Sequence, residues 1–307
     1  MANPPISSAK PDSLLQNGPL LVALLLLVDS LHYIFARLLL PHLPATTSSF
    51  YTLVVGTVET AVYLAWRRQI KWSVLRENLW FFLVVGFLVA ASTAISFGAV
   101  AYIDPGSASL IAQTYTIFTL GLGLFWLRER LRPLQLAGAA LAIVGVFVIS
   151  FQSGQAAALL RLGAFLVLVS NLFYALHTAV VKRYGDGIEF GNFFLFRVAS
   201  TALFLLLFSL GRGELSWPNA DVWLLLLLVG TVNITIGRIL YYLALRRLKM
   251  SIHTILLTLS PALTILWSLA LFGERPSLQG FIGGAVIIGG VLLVTVWGGK
   301  RPSPAVD

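Results

Sequence analysis

The 307-residue chain contains no cysteine, only 12 acidic residues and only four histidines. The missing thiols exclude disulfides, thiolate-ligated zinc and cysteine nucleophiles. His32, His42, His177 and His253 form no HExxH pattern or His-rich tract, so neither a metal site nor a cofactor is predicted. Charge of both signs is scarce: 11% of residues are Asp, Glu, Lys or Arg, where a soluble domain needs about 25%. That shortage excludes a soluble globular fold.

What the chain does have is apolar residues in long blocks, 58% hydrophobic in all with a mean hydropathy of +0.89. Segments near 20 residues span a hydrocarbon core of roughly 30 Å. Ten are predicted, at 19–40, 50–66, 79–101, 106–127, 133–151, 162–182, 190–211, 221–245, 251–272 and 277–297. The fold class expected is therefore all-α and integral to the membrane. Residues 1–18 are polar, with Pro and Ser, and read as a disordered tail. The apolar run after them is too long for a signal-peptide core and is read as a retained helix.

The net charge of +9 would suggest nucleic acid in a soluble protein, but no basic stretch is long enough for such a domain. It is explained by orientation. With the N-terminus inside, Lys10, Arg67, Arg68, Lys71, Arg76, Arg128, Arg130, Arg132, Lys182, Arg183, Arg246, Arg247, Lys249, Lys300 and Arg301 are cytoplasmic. Only Arg37, Arg161, Arg212 and Arg275 are outside, and Arg197 and Arg238 sit within helices. This bias puts both termini in the cytoplasm.

An offset of 145 residues superposes the chain on itself. His32 falls on His177, Arg37 on Lys182, Glu129-Arg130 on Glu274-Arg275, Gly138 on Gly283 and Gly145 on Gly290. RERLRPLQLAGAALAIVGVFVIS answers GERPSLQGFIGGAVIIGGVLLVT, with a one-residue slip near the Gln. Each half holds five predicted helices, an odd number, so the second must be inverted. The first repeat covers 19–151, the second 162–297, and 298–307 form a cytoplasmic tail. Inverted repeats are common in secondary transporters, with the substrate near the midplane.

These two passages resemble the EamA-type repeat of the drug/metabolite transporter superfamily: a fourth helix ending in x-Glu-Arg, then Gln and a Gly-rich fifth helix. The resemblance spans 19–297. It implies a ten-helix carrier working by alternating access, often exporting amino acids or other small metabolites. It also implies a cavity lined mainly by helices 1, 3, 4, 6, 8 and 9. Departures fall near that cavity. Pro261 stands at the expected place in helix 9, but its counterpart is Thr116. Arg197 resembles the arginine often found early in the second helix of a repeat, but its counterpart is Thr52.

Intramembrane polar groups cost about 2.5–3.5 kcal/mol when charged and so face cavities or partners. Asp29 and His32 share one face of helix 1, with Tyr33 beside them. Together they could hold a proton or bind an amine, or form a structural pair. Asn171, Tyr174 and His177 share a stripe on helix 6; they serve a site or act as interhelical glue. His177 could face His32 across the pseudo-twofold axis and join it and Asp29 in proton coupling. Gln113 and Tyr115 on helix 4 need external partners, whereas Ser92, Thr93 and Ser96 rank low because such hydroxyls bond their own helix. On helix 8, Asn233 and Arg238 complete the candidate substrate site. Arg238 could clamp a carboxylate or snorkel. Arg197 is assigned a structural or gating role, and Glu59 is a weak candidate. Glu129 and Glu274 read as capping or ion-pairing groups in tight turns.

The expected function is a secondary active transporter of the inner membrane. It would export small polar metabolites, chiefly amino acids or derivatives, with possible proton coupling. A drug, organic-cation or nucleotide-sugar carrier is the alternative on the same fold. An intramembrane enzyme lacks a Gly-x-Ser-Gly motif or paired aspartates, and a non-transporting receptor lacks loops for a sensory domain. The partners expected are the substrate and the lipid bilayer, not nucleic acid, with the chain as monomer or homodimer.

Overall fold

A computed structural model of the chain describes residues 18–126, 133–150, 157–185, 187–247, 257 and 259–298. The first 17 residues, the Glu129-Arg130 turn, His253 and the C-terminal tail from 299 lie outside the described residues. No strand occurs among those described. Five helical stretches are long and apolar enough to cross a membrane: Leu20–Leu39, Leu79–Ala99, Leu160–Tyr184, Phe190–Gly211 and Ala220–Tyr241. Shorter apolar helices run over Pro133–Ile149, Ser260–Phe272 and Leu278–Leu293. Val62, Phe165, Leu224 and Leu266 are exposed on the outer faces, as apolar side chains solvated by lipid are. Trp66, Trp72 and Trp217 are exposed at or beyond helix ends, where indole rings suit a membrane interface.

Three stretches are interrupted. The first divides at Leu31 into α1 (Gly18–Ser30) and α2 (His32–Leu39). After α3 (Ala45–Trp66), α4 (Trp72–Glu77) and α5 (Leu79–Ala99), a second break separates α6 (Pro105–Ala112) from α7 (Tyr115–Phe125). Then come α8 (Pro133–Ser150), α9 (Ala157–Tyr184) and α10 (Phe190–Gly211). A π-helical segment, Gly230–Ile236, sits between α11 (Ala220–Val229) and α12 (Gly237–Arg247). The chain ends in α13 (Ser260–Phe272) and α14 (Leu278–Gly298). Non-helical backbone at membrane depth is tolerated only where it is buried in protein or lines a cavity. Asn171 meets that need at the second break: its amide donates to Ile111 O at 3.3 Å, Ala112 O at 3.2 Å and Thr114 Oγ1 at 3.0 Å.

Local chemistry explains where elements start and stop. Asp104 caps α6 by accepting from the Ser107 N–H at 2.8 Å, with Pro105 in the first turn. Gly273 ends α13 in the left-handed region, φ 65°. The predicted helix 50–66 starts five residues earlier, at Ala45. Its polar opening is buried rather than looped out, because the segment after α10 docks on it. Thr47 Oγ1 shares a 2.7 Å hydrogen bond with Ser209 Oγ and donates to Glu214 O at 2.9 Å. Tyr51 donates to Ser216 O at 3.1 Å. The predicted helix 162–182 likewise begins earlier, at Ala157.

α8 and α14 cross at glycine. A Cβ on Gly145 would lie 2.6 Å from the Gly283 carbonyl oxygen, and one on Gly290 would lie 2.4 Å from that of Gly138. By sequence offset Gly138 matches Gly283 and Gly145 matches Gly290. Each glycine thus touches the equivalent of the other's partner, the reciprocal pattern of a twofold contact. Gln279, the Gln of the second repeat motif, donates to Val148 O at 2.8 Å and satisfies a carbonyl near the end of α8.

Candidate functional site

A cavity of about 290 Å³ opens where the three interrupted stretches meet. α1 and α2 contribute Asp29, His32 and Tyr33, and the α6–α7 break contributes Gln113 and Tyr115. The π segment contributes Asn233, and the helix after it Arg238 and Tyr241. Asn171 and Tyr174 reach in from α9. Of the ten residues that the sequence singled out, nine therefore line one space. His177 does not. It is buried behind Tyr174, ring centroids 5.1 Å apart, and neither of its ring nitrogens has a hydrogen-bond partner. The expected meeting of His32 and His177 is thus absent from the cavity wall.

The wall also includes α3, through Thr52 and Leu53, and α10, through Phe194, Arg197 and Thr201. Neither helix was among the expected lining elements. On α10 the inward face is marked by Arg197 and, at i+4, Thr201. Ser96 and Ser92, ranked low as self-bonding hydroxyls, in fact link helices. Ser96 meets His32 Nε2 at 3.2 Å, and Ser92 donates to Ser170 O at 2.9 Å. Ser109 and Ser260 also line the cavity and carried no signal in the sequence.

Acidic and basic side chains share this wall. The Asp29 carboxyl lies beside Ser260 and within the field of the Arg238 guanidinium. Arg238 also donates to the Tyr174 phenol. Asp29 and Tyr174 are themselves 145 positions apart, so equivalent points of the two repeats converge on Arg238. His32 Nδ1 lies 3.4 Å from Asn233 Nδ2. Tyr115 shares a 2.7 Å hydrogen bond with Thr178, and its ring lies 5.5 Å from that of Tyr174. An aromatic and hydroxyl wall thus surrounds one carboxylate and two guanidinium groups. No cluster of three His, Asp or Glu side chains suited to a metal occurs among the described residues.

Outside the cavity, Glu59 on α3 accepts from Thr231 and Thr235, anchoring the π segment. Arg37 on α2 donates to Val100 O at 2.7 Å and pairs with Glu274, joining the two repeats. At the surface, Lys71 holds the Glu189 carboxyl below its usual range by hydrogen bond and charge. Hydrogen bonds from Thr46 and then Arg212 do the same for Glu214.

The EamA-like transporter family matches twice, over residues 16–151 and 161–296. An uncharacterized transporter of Archaeoglobus fulgidus is 24% identical over 284 residues, 90% of this chain and 96% of its own length. A probable terminal-alkyne amino-acid exporter of Streptantibioticus cattleyicolor is 29% identical over 198 residues, 63% of this chain and 65% of the relative. A probable amino-acid metabolite efflux pump of Escherichia coli is 43% identical over 82 residues, 27% of this chain and 26% of the pump. A solved crystal structure superposes on 92% of the chain with a TM-score of 0.63 at 20% identity, covering 99% of its own length; this shows the shared fold. With two family repeats between them covering most of its length and apolar helices long enough to span a bilayer, the chain belongs to the EamA-like transporter family, a multi-pass membrane transporter rather than an enzyme.

Proposed function

We propose that the protein is a ten-span exporter of the inner membrane, with both termini cytoplasmic and two inverted five-helix repeats. It carries amino acids or close derivatives by alternating access. The observation that carries this reading is that Asp29 and Arg238 line the same small cavity, each within the other's field. A zwitterion presents an ammonium and a carboxylate to such a pair. Asp29 accepts the amine, and Arg238 donates to the carboxylate in a bidentate geometry. The volume, about 290 Å³, lies at the lower end of ligand pockets, which run from roughly 300 to 1,000 Å³, and so favours small metabolites.

Proton coupling belongs to the same proposal. Asp29 and His32 lie one turn apart on the cavity wall, so a proton held there competes with a substrate amine. The similarity to a probable amino-acid exporter and, over a shorter stretch, to a probable amino-acid metabolite efflux pump supports the substrate class. The reciprocal glycine contacts between α8 and α14 support the inverted repeat. Counterflow in proteoliposomes preloaded with mixed amino acids tests the reading. Saturable, protein-dependent exchange of a labelled amino acid is expected. Absence of exchange from folded protein would sink the substrate class and move the search to organic cations or nucleotide-linked sugars.

A further inference from the structure

Arg197 on α10 is 5% exposed, lines the cavity and makes no ion pair among the described residues. Its Nε has no hydrogen-bond partner. An arginine kept at membrane depth for structure is normally matched by a carboxylate or by carbonyls. The other charged groups on the cavity wall are Asp29 and Arg238. Asp29 is the single carboxyl among the described lining residues and lies in the field of Arg238. The cavity thus carries one positive charge in surplus, and Arg197 has no acidic partner of its own among the described residues. The equivalent position of the first repeat, Thr52, also lines the cavity but is neutral.

We propose that Arg197 forms a second anion subsite, and that the preferred substrate is an amino acid carrying a second acidic group. This rests on the amino-acid reading above. One ammonium would meet Asp29, one carboxylate Arg238, and the second acid Arg197. The occupied cavity is then electrically neutral: two guanidinium groups and one ammonium are balanced by Asp29 and two substrate carboxylates. A substrate with a neutral side chain leaves Arg197 unmatched. The buried imidazole of His177 and the phenol of Tyr174 lie in the field of Arg197 and supply no negative partner in their neutral forms.

The test is counterflow with the purified full chain in liposomes, comparing labelled aspartate and glutamate with alanine and leucine. The expected result is a kcat/KM at least tenfold higher for the acidic pair. Arg197→Gln should lower the ratio of acidic to neutral kcat/KM at least tenfold, and Arg197→Lys should restore part of it. Ligand-induced shifts in melting temperature, read in detergent on the same variants, keep the test valid where a variant reconstitutes poorly. Exchange of alanine and leucine without the acidic pair would overturn the subsite while leaving the exporter reading intact. A fall in both rates by the same factor in Arg197→Gln would overturn it too, as a structural arginine. Exchange of neither pair would remove the amino-acid reading and the subsite with it.

Discussion

Gly145 and Gly283 meet backbone to backbone: a Cβ on Gly283 would lie 2.7 Å from the Gly145 carbonyl oxygen, and the reverse distance is 2.6 Å. Neither neighbour is a flexible side chain that could yield, so any larger residue must push α8 and α14 apart. Overpacking of this kind costs about 1–3 kcal/mol. Gly145→Leu or Gly283→Leu is expected to lower the detergent melting temperature. Gly121, which has open space around its Cβ position, should tolerate Ala with little change. Equal melting temperatures for Gly145→Leu and wild type would refute the close crossing.

Proton coupling and amine binding meet at Asp29 in the proposed mechanism. Asp29→Asn removes the proton site and the negative charge but keeps a hydrogen-bonding side chain of the same shape. Flux driven by a pH gradient is expected to fall at least tenfold in this variant, and counterflow to show a raised KM as the amine loses its partner. His32→Ala should weaken the same driven flux. Unchanged pH-driven flux in both variants would show the coupling site to be misassigned.

Glu59 holds the π segment from outside the cavity through Thr231 and Thr235. Hydrogen bonds to a charged acceptor contribute about 1.5–3 kcal/mol each. Glu59→Ala should therefore lower the melting temperature and also raise KM, because Asn233 and Arg238 follow the segment it anchors. Glu59→Gln, which keeps one acceptor oxygen, should fall between. A drop in stability with KM unmoved would limit Glu59 to holding helices together.

Acid should loosen the contact between the start of α3 and the segment after α10. Hydrogen bonds from Thr46, then Arg212, depress the Glu214 carboxyl below its ordinary value of 4.5. A depressed acid stabilises the folded state above that ordinary value, and the contribution is lost as pH falls through the lower, folded one. Thr46→Val should shrink this loss in melting curves taken between pH 6 and pH 3 (about neutral to acid). The effect should be small, since Arg212 and part of Glu214 are exposed.

Much of the architecture could be read from the residues. The 145-residue offset identified the glycine pairs, and the crossing of α8 and α14 supplies their reason: only glycine admits backbone at that distance. Nine candidate residues converge because buried polar groups in apolar helices must face something other than lipid. Repeat equivalence did not yield contacts, however. His32 and His177 are equivalent yet only His32 reaches the cavity, whereas Asp29 and Tyr174 are equivalent and both line it within the field of Arg238. Arg197, read as structural or gating, lies on the cavity wall with Thr201 one turn away, a polar spacing of i, i+4 that marks the inner face of α10. The breaks at Leu31 and Gln113-Thr114 left no Pro or Gly at the break itself. Asn171 supports the second from α9, and at the first Thr264 donates to Ser30 O at 2.9 Å.

The π segment gives the chain a place to absorb a change of length above the cavity. Its hydrogen bonds close from i to i+5 rather than i to i+4, so Gly230–Ile236 holds about one residue more than an α-helix covering the same turn. Deleting one residue inside it lets the segment revert to α-helix and leaves Arg238 and Tyr241 facing the wall. The same deletion in α11 has no such slack and would turn both side chains by about 100°.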